Sequence, residues 1–252
     1  MLDFTLQKYK RLCLMLIEAG FIPHTVQACL ESKVKSEKRV VLRHDVDRKP
    51  ANALKMAKME AELGIQSTYY FRYPYTFKPD LVRRICDLGH EIGYHYEVLA
   101  KTRGRYEEAI KLFNLELGEF RKICDVFTIC MHGSPLSRYD NRDLWKCYDF
   151  KEFGIIGEGY LSFLEKDISY LSDTGRSWNS KNNVRDFLPG RGSAGPTGST
   201  KSLIEWIKDK NTGDLYLVTH PERWDPNLTG WATSGLKDYI FNFAKKIWVR
   251  IS

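Results

Sequence analysis

The stretch Arg39-Val40-Val41-Leu42-Arg43-His44-Asp45-Val46-Asp47 decides the reading of the fold. It opens on a valine-rich apolar run, which predicts a strand over residues 39–44. It ends in a dense set of charged groups. The next segment, residues 50–63, reads as a helix with Pro50 at its start and Gly64 just past its end. An apolar strand feeding directly into a helix is the building unit of a parallel sheet.

The same unit recurs along the chain. Strands are predicted over residues 66–73, 91–95 and 126–132, separated by helices over 80–88 (closed by Gly89) and 106–124. A short helix is expected over 141–149, then strands over 154–159 and 168–172, a helix over 202–210 and a strand over 215–219. An apolar helix over 236–249 ends the series. Upstream, residues 3–19 read as a helix, and residues 33–39 as a solvated basic connector. Between Asn179 and Thr200 the composition turns to Gly, Ser, Asn and Pro, the mark of a long loop. About seven strands alternating with helices predict an α/β fold, a distorted (β/α) barrel of parallel strands. The whole of 1–252 is read as one domain, with 1–38 as a helical N-terminal extension. A doubly wound open sheet is the competing arrangement.

Composition narrows the function classes. The chain has 252 residues, of which 43% are hydrophobic and 13% aromatic, too many for a disordered chain. The longest early apolar run, Leu12 to Ile17, is too short to span a bilayer and is followed by Glu18. With no signal-peptide frame and no Cys-x-x-Cys pair among six cysteines, a reducing, cytoplasmic setting is expected. The net charge of +7 is compatible with an anionic substrate. Basic loop residues Lys181, Arg185 and Arg191 form no stripe and no nucleic-acid motif, so no nucleic-acid partner is expected.

In β/α folds, functional groups gather at the carboxyl ends of strands. Four of the six histidines, His44, His95, His132 and His220, fall at predicted strand ends. Asp45 and Asp47, two apart, share a face if the strand runs through them. Two carboxylates so close imply either a cation beside them or a role capping the helix after Pro50. His44 should point away from Asp45 and pack, and His90 reads as part of a turn. His220, closing an apolar strand, is either a satisfied core histidine or a general acid or base. Further groups at strand ends are Glu158 and the run Asp173-Thr174-Gly175-Arg176.

Three segments resemble the motifs of the NodB-like polysaccharide deacetylases: Arg43-His44-Asp45-Val46-Asp47, Gly89-His90-Glu91-Ile92-Gly93-Tyr94-His95 and Val218-Thr219-His220-Pro221. The resemblance spans roughly residues 39–221 and implies a distorted barrel of about seven strands. It implies Asp45 as general base, Asp47 as metal carboxylate, His95 as first metal histidine and His220 as catalytic acid. The stretch Asp173 to Trp178 resembles the region that orients the base and lines the substrate pocket. One position departs: the family's second metal histidine lies four residues after the first, where this chain has Leu99. Either the metal is lost or another residue supplies the third ligand, with His132 first and Glu97 second as candidates.

The function expected on this basis is a metal-dependent hydrolase that removes an N-acetyl group from a sugar or glycan precursor. The divalent metal is expected to be Zn²⁺, with Fe²⁺, Co²⁺ and Ni²⁺ also suited to such a ligand set. Arg43, Glu97, Asp173, Arg176, Trp178 and Trp224 are the expected substrate contacts, and a carbohydrate or sugar nucleotide the expected partner. The alternative is a non-catalytic carbohydrate-binding protein on the same fold, stacking sugars on Tyr69, Tyr70, Tyr73, Tyr75, Trp178 and Trp224.

Overall fold

The computed structural model describes residues 2–32, 38–134, 137–179, 185–188, 195–196, 198–208, 212–227 and 229–235. Helix α1 (Leu6–Glu18) starts at Thr5, whose hydroxyl accepts from the Lys8 amide. A short strand β1 (Ile22–His24) and helix α2 (Val26–Glu31) follow. Then come β2 (Arg39–Val46), α3 (Pro50–Glu62), β3 (Thr68–Phe71), α4 (Pro79–Asp87) and β4 (Glu91–Tyr96). The single turn α5 (Val98–Lys101), α6 (Tyr106–Arg121) and β5 (Thr128–Met131) come next. Two 3₁₀ turns, Asn141–Lys146 and Phe150–Phe153, lead to β6 (Gly157–Glu158) and β7 (Ser169–Ser172), and the last elements are α7 (Thr200–Lys208) and β8 (Leu215–Thr219).

Seven strands lie in the order β6-β5-β4-β3-β2-β8-β7, every pairing parallel. This is the expected α/β architecture, a curled parallel sheet with helices outside it. Strand β2 is central, with His44 opposite Tyr69 on β3 and Thr219 on β8. The edge of β2 that pairs with β3 from Arg43 onward pairs with β1 over residues 39–41. Residues 1–38 are therefore more than a helical extension, because β1 adds to the sheet. His24 sits half-buried on β1.

Parallel strands put every carboxyl end on one side, so Asp47, Glu97, His132, Asp173 and His220 come from one mouth. Alternation along β2 sends Arg43 and Asp45 to the inside and His44 to the outside, toward α3. Close packing inside has a local requirement at Gly93 on β4: a Cβ there would lie 2.1 Å from the Tyr70 ring. The capping role, the alternative to a cation beside Asp45 and Asp47, is not taken up. Helix α3 starts from Lys49 with φ 48° and no side-chain capping bond, so neither Asp45 nor Asp47 caps it.

The segment expected as one short helix over 141–149 holds a 3₁₀ turn, Asn141–Lys146, with a second just past it at Phe150–Phe153, and β1, α2 and α5 are additions. The connector at 33–37, the apolar helix at 236–249, and Lys181 and Arg191 lie outside the described residues. No helix among the described residues is long and apolar enough to cross a membrane.

Candidate active site

The mouth is organised around Asp47. Its Oδ1 lies 3.3 Å from His95 Nε2 and 3.6 Å from His132 Nε2, and its Oδ2 lies 4.0 Å from His220 Nε2. The three imidazoles come from the ends of β4, β5 and β8. Each has its Nδ1 occupied elsewhere: His95 on the Cys130 carbonyl at 3.0 Å, His132 on Glu97 at 2.8 Å, and His220 on Asp173 at 2.7 Å. A carbonyl or carboxylate partner requires the hydrogen on Nδ1, which turns the Nε2 atoms of His95 and His132 toward Asp47 as the ring atoms that can ligate an ion.

Asp47 Oδ1 is itself buried and has no hydrogen-bond partner. A buried carboxylate oxygen without a donor is costly unless something else neutralises it. Burial alone would raise the Asp47 carboxyl, but His132, His95 and His220 around it hold it well below the usual carboxylate range. A carboxylate and two imidazoles are a ligand set for a divalent transition metal. The residues present therefore fit the ion that the motif resemblance implies, with Asp47, His95 and His132 to hold it.

A second cluster brings ligand atoms of Asp45, His95 and Cys130 within 4.8 Å of one another. It suits a cation less well. Burial pushes the Cys130 thiol well above its ordinary range, so it stays protonated. Both Asp45 oxygens are already engaged, accepting from Arg43 Nε at 2.8 Å and Nη2 at 2.6 Å. A guanidinium at that distance repels a second cation.

Arg43, expected to touch substrate, is completely buried. Its guanidinium lies 4.3 Å from the centre of the Tyr160 ring, and it orients Asp45 from beneath. Asp45 Oδ2 stands 3.7 Å from His95 Nε2, so Asp45, in β2, and Asp47, just past its end, flank the same imidazole.

Asp173 is also fully buried and positions its neighbours. It accepts from the His220 backbone N–H at 3.0 Å, from Arg223 at 2.7 Å and from Trp224 Nε1 at 2.7 Å, as well as from the His220 ring. For His220, burial and the Arg223 guanidinium act downward, but Asp173 and Asp47 outweigh them and push its pKa up to about 9. The ring is thus an imidazolium at neutral pH, a proton donor whose Nε2–H faces Asp47.

Trp178 and Trp224 present no surface to a ligand, since both are fully buried, with Trp178 Nε1 donating to Thr200. Tyr69 and Tyr70 are likewise in the core, whereas Tyr75 is 57% exposed. Glu97 is nearly buried and committed to His132 and Arg72. Arg176 lies away from the cluster, donating to the Trp231 carbonyl at 3.3 Å. Leu99 is buried in the core, in α5. His44 and His90 pack outside the sheet, where His44 meets Glu60 at 2.9 Å.

Two groups at the mouth lacked a sequence signal of function. Asp186, inside the polar loop, accepts from Tyr160 at 3.0 Å and Thr174 at 2.5 Å, and also from Ser172 and Tyr170. Glu222, just past His220, is buried, and burial together with the charge of Asp47 raises its carboxyl. Only the run His220-Pro221-Glu222 placed it near a strand end.

No protein-family model matches the chain, and no curated protein matches it. Solved structures do. A family 4 carbohydrate esterase from Bacillus anthracis is 14% identical, with 89% of this chain and 81% of that one covered and a TM-score of 0.44. A Streptococcus mutans CE4 esterase is 13% identical, covers 89% and 88%, and has a TM-score of 0.47. BA3943, a CE4 family pseudoenzyme from Bacillus anthracis, is 12% identical, covers 81% and 61%, and has a TM-score of 0.46.

Proposed function

We propose that this protein is a divalent-metal-dependent hydrolase of the polysaccharide deacetylase type, removing an N-acetyl group from a sugar or glycan precursor. The observation that carries the reading is the convergence of three imidazole Nε2 atoms on Asp47, each ring held by its Nδ1. Asp47, His95 and His132 would hold the ion, with His132 standing in for the histidine that Leu99 replaces.

Bound there, a divalent ion would polarise the amide carbonyl and make a water more acidic. Asp45 takes a proton from the attacking water as the water oxygen adds to the carbonyl carbon. Its orientation is fixed by Arg43, which grips both carboxylate oxygens. The C–N bond then breaks, and His220 Nε2–H donates its proton to the departing amine nitrogen. Acetate and a free amine are the products. Asp173 holds the His220 ring by its Nδ1 and so aims Nε2 into the mouth. A soluble glycan precursor or sugar nucleotide fits the net positive charge of the chain.

The binding-only alternative relied on an aromatic platform, and four of its six rings are buried. Acetate release from N-acetylglucosamine oligomers and from a UDP-linked N-acetyl sugar tests the proposal, using chelator-stripped protein before and after Zn²⁺ is restored. Turnover should depend on the ion. Asp47→Asn should lose the ion, and Asp45→Asn and His220→Ala should keep it while losing about 10²–10⁴-fold in rate. Undiminished turnover in Asp45→Asn, or equal metal content in Asp47→Asn and the unaltered protein, would sink the assignment.

A further inference from the structure

Four adjacent strands each contribute one residue to a closed polar ring at the mouth. Asp47 follows β2, Arg72 follows β3, Glu97 follows β4 and His132 follows β5. Arg72 Nη1 donates to the Asp47 backbone carbonyl at 3.4 Å, while Nη2 donates to both Glu97 oxygens at 2.9 Å. Glu97 Oε2 accepts from His132 Nδ1 at 2.8 Å, and His132 Nε2 closes the ring 3.6 Å from Asp47 Oδ1.

The ring solves a geometric problem. Strands β2 and β5 are separated by β3 and β4, so in a flat sheet their ends would stand about 14 Å apart, too far to share one ion. Curling brings the ends together, and an imidazole on a loop then needs a fixed orientation to present Nε2 rather than Nδ1. Glu97 supplies that by accepting the Nδ1 hydrogen. Arg72 in turn fixes Glu97 and the backbone of Asp47 with one rigid guanidinium. Thr76 adds a second hold on the same turn, donating to the Val46 carbonyl at 2.7 Å and accepting from the Arg72 amide at 3.0 Å.

We propose that Arg72 and Glu97 are positioning residues that build the third ligand position of the ion site, holding His132 to face Asp47. The inference rests on the metal-site reading above. The competing role for the pair is a partly shielded ion pair that only ties β3 to β4, with side chains 18% and 8% exposed.

The test is the affinity of the stripped protein for Zn²⁺, measured by competition with a chromophoric chelator, and the visible spectrum of the Co²⁺ form. The proteins compared are the unaltered chain, Asp47→Asn, Glu97→Gln and Arg72→Lys, each with a thermal melt in the absence of metal. Glu97→Gln is isosteric, and Arg72→Lys keeps the charge but loses the fork, so the pair gives two independent readings. Both should weaken Zn²⁺ binding, Glu97→Gln by about 10–100-fold, and shift the Co²⁺ bands. Affinities within twofold of the unaltered chain in both variants would overturn the positioning role while leaving the ion site standing. An unaltered chain that binds no Zn²⁺, or binds it equally with Asp47→Asn, overturns the site reading itself and this inference with it.

Discussion

Asp173 holds His220 at two points, accepting from its ring Nδ1 at 2.7 Å and from its backbone N–H at 3.0 Å. The carboxylate thus sets the ring's orientation, its tautomer and its charge together. Asp173 and Asp47 hold the His220 pKa at about 9, above the ordinary 6.5. A folded-state pKa raised above the unfolded one adds stability that is complete below about pH 6.5 and is lost as pH rises through about 9. The melting temperature should fall over that window. Asp173→Asn should flatten the fall and bring the His220 NMR titration down toward neutral pH. An unchanged titration in that variant would remove Asp173 as the cause.

The Arg43–Asp45 pair is buried inside the barrel, with side chains 0% and 3% exposed. Removing one partner of such a pair leaves the other charge without compensation. Arg43→Met should destabilise the fold by about 3–5 kcal/mol in urea unfolding. The double change Arg43→Met with Asp45→Asn should cost less than the sum of the two single changes, because it removes both charges. Strict additivity would show that the two side chains act independently.

The strand–helix alternation of this chain was legible because each strand is apolar and each break is marked. Arg39–Val46 and Leu215–Thr219 are buried nearly throughout, and Gly64 and Gly89 have the positive φ that ends a helix. Strand β1 was hidden, since Ile22-Pro23-His24 is short, contains proline and gains its partner only from the fold. Within the site, Asp45, Asp47, His95, His132 and His220 could be picked out because chemistry-bearing residues stood at strand ends. Their neighbours were harder. Nothing local distinguishes Arg43 or Trp224, which are buried, from residues that meet a ligand, because burial depends on what packs over them. Asp186 was invisible for a different reason: its four hydroxyl donors are distant in sequence and assemble only in three dimensions.

Gly93 tests the interior packing of the barrel. An added methyl would stand 2.1 Å from Tyr70 Cε1 and 3.0 Å from the Thr128 carbonyl oxygen. The Tyr70 ring is fully buried, and its hydroxyl is bonded to Thr128 Oγ1 at 2.7 Å, so it has little room to move. Gly93→Ala should therefore destabilise by about 1–3 kcal/mol, the usual range for overpacking. The Gly93→Ala/Tyr70→Leu double variant should recover part of that loss. No recovery would place the strain in the β4 backbone instead.

Glu60 anchors the outer face of β2 to helix α3. It accepts from His44 Nε2 at 2.9 Å, Tyr9 Oη at 2.5 Å, Tyr69 Oη at 2.7 Å and Ser67 Oγ at 2.6 Å. Burial alone would raise its carboxyl, but the charges of His44 and His90 and the bonds from His44 and Ser67 bring it down to about 2. A carboxyl lowered on folding adds stability that is present above its ordinary value near 4.5 and is lost as pH falls through about 2. Glu60→Gln keeps the shape but replaces one acceptor oxygen by an amide that must donate, so any of the four donors that cannot turn to accept loses its partner. The expected cost is about 1–3 kcal/mol per unsatisfied group. The acid limb of the stability curve should also become shallower, because the variant no longer takes up that proton on unfolding. Urea unfolding of both proteins between pH 2 and pH 7 reads both effects, and parallel acid limbs would assign the acid sensitivity of the fold to other carboxylates.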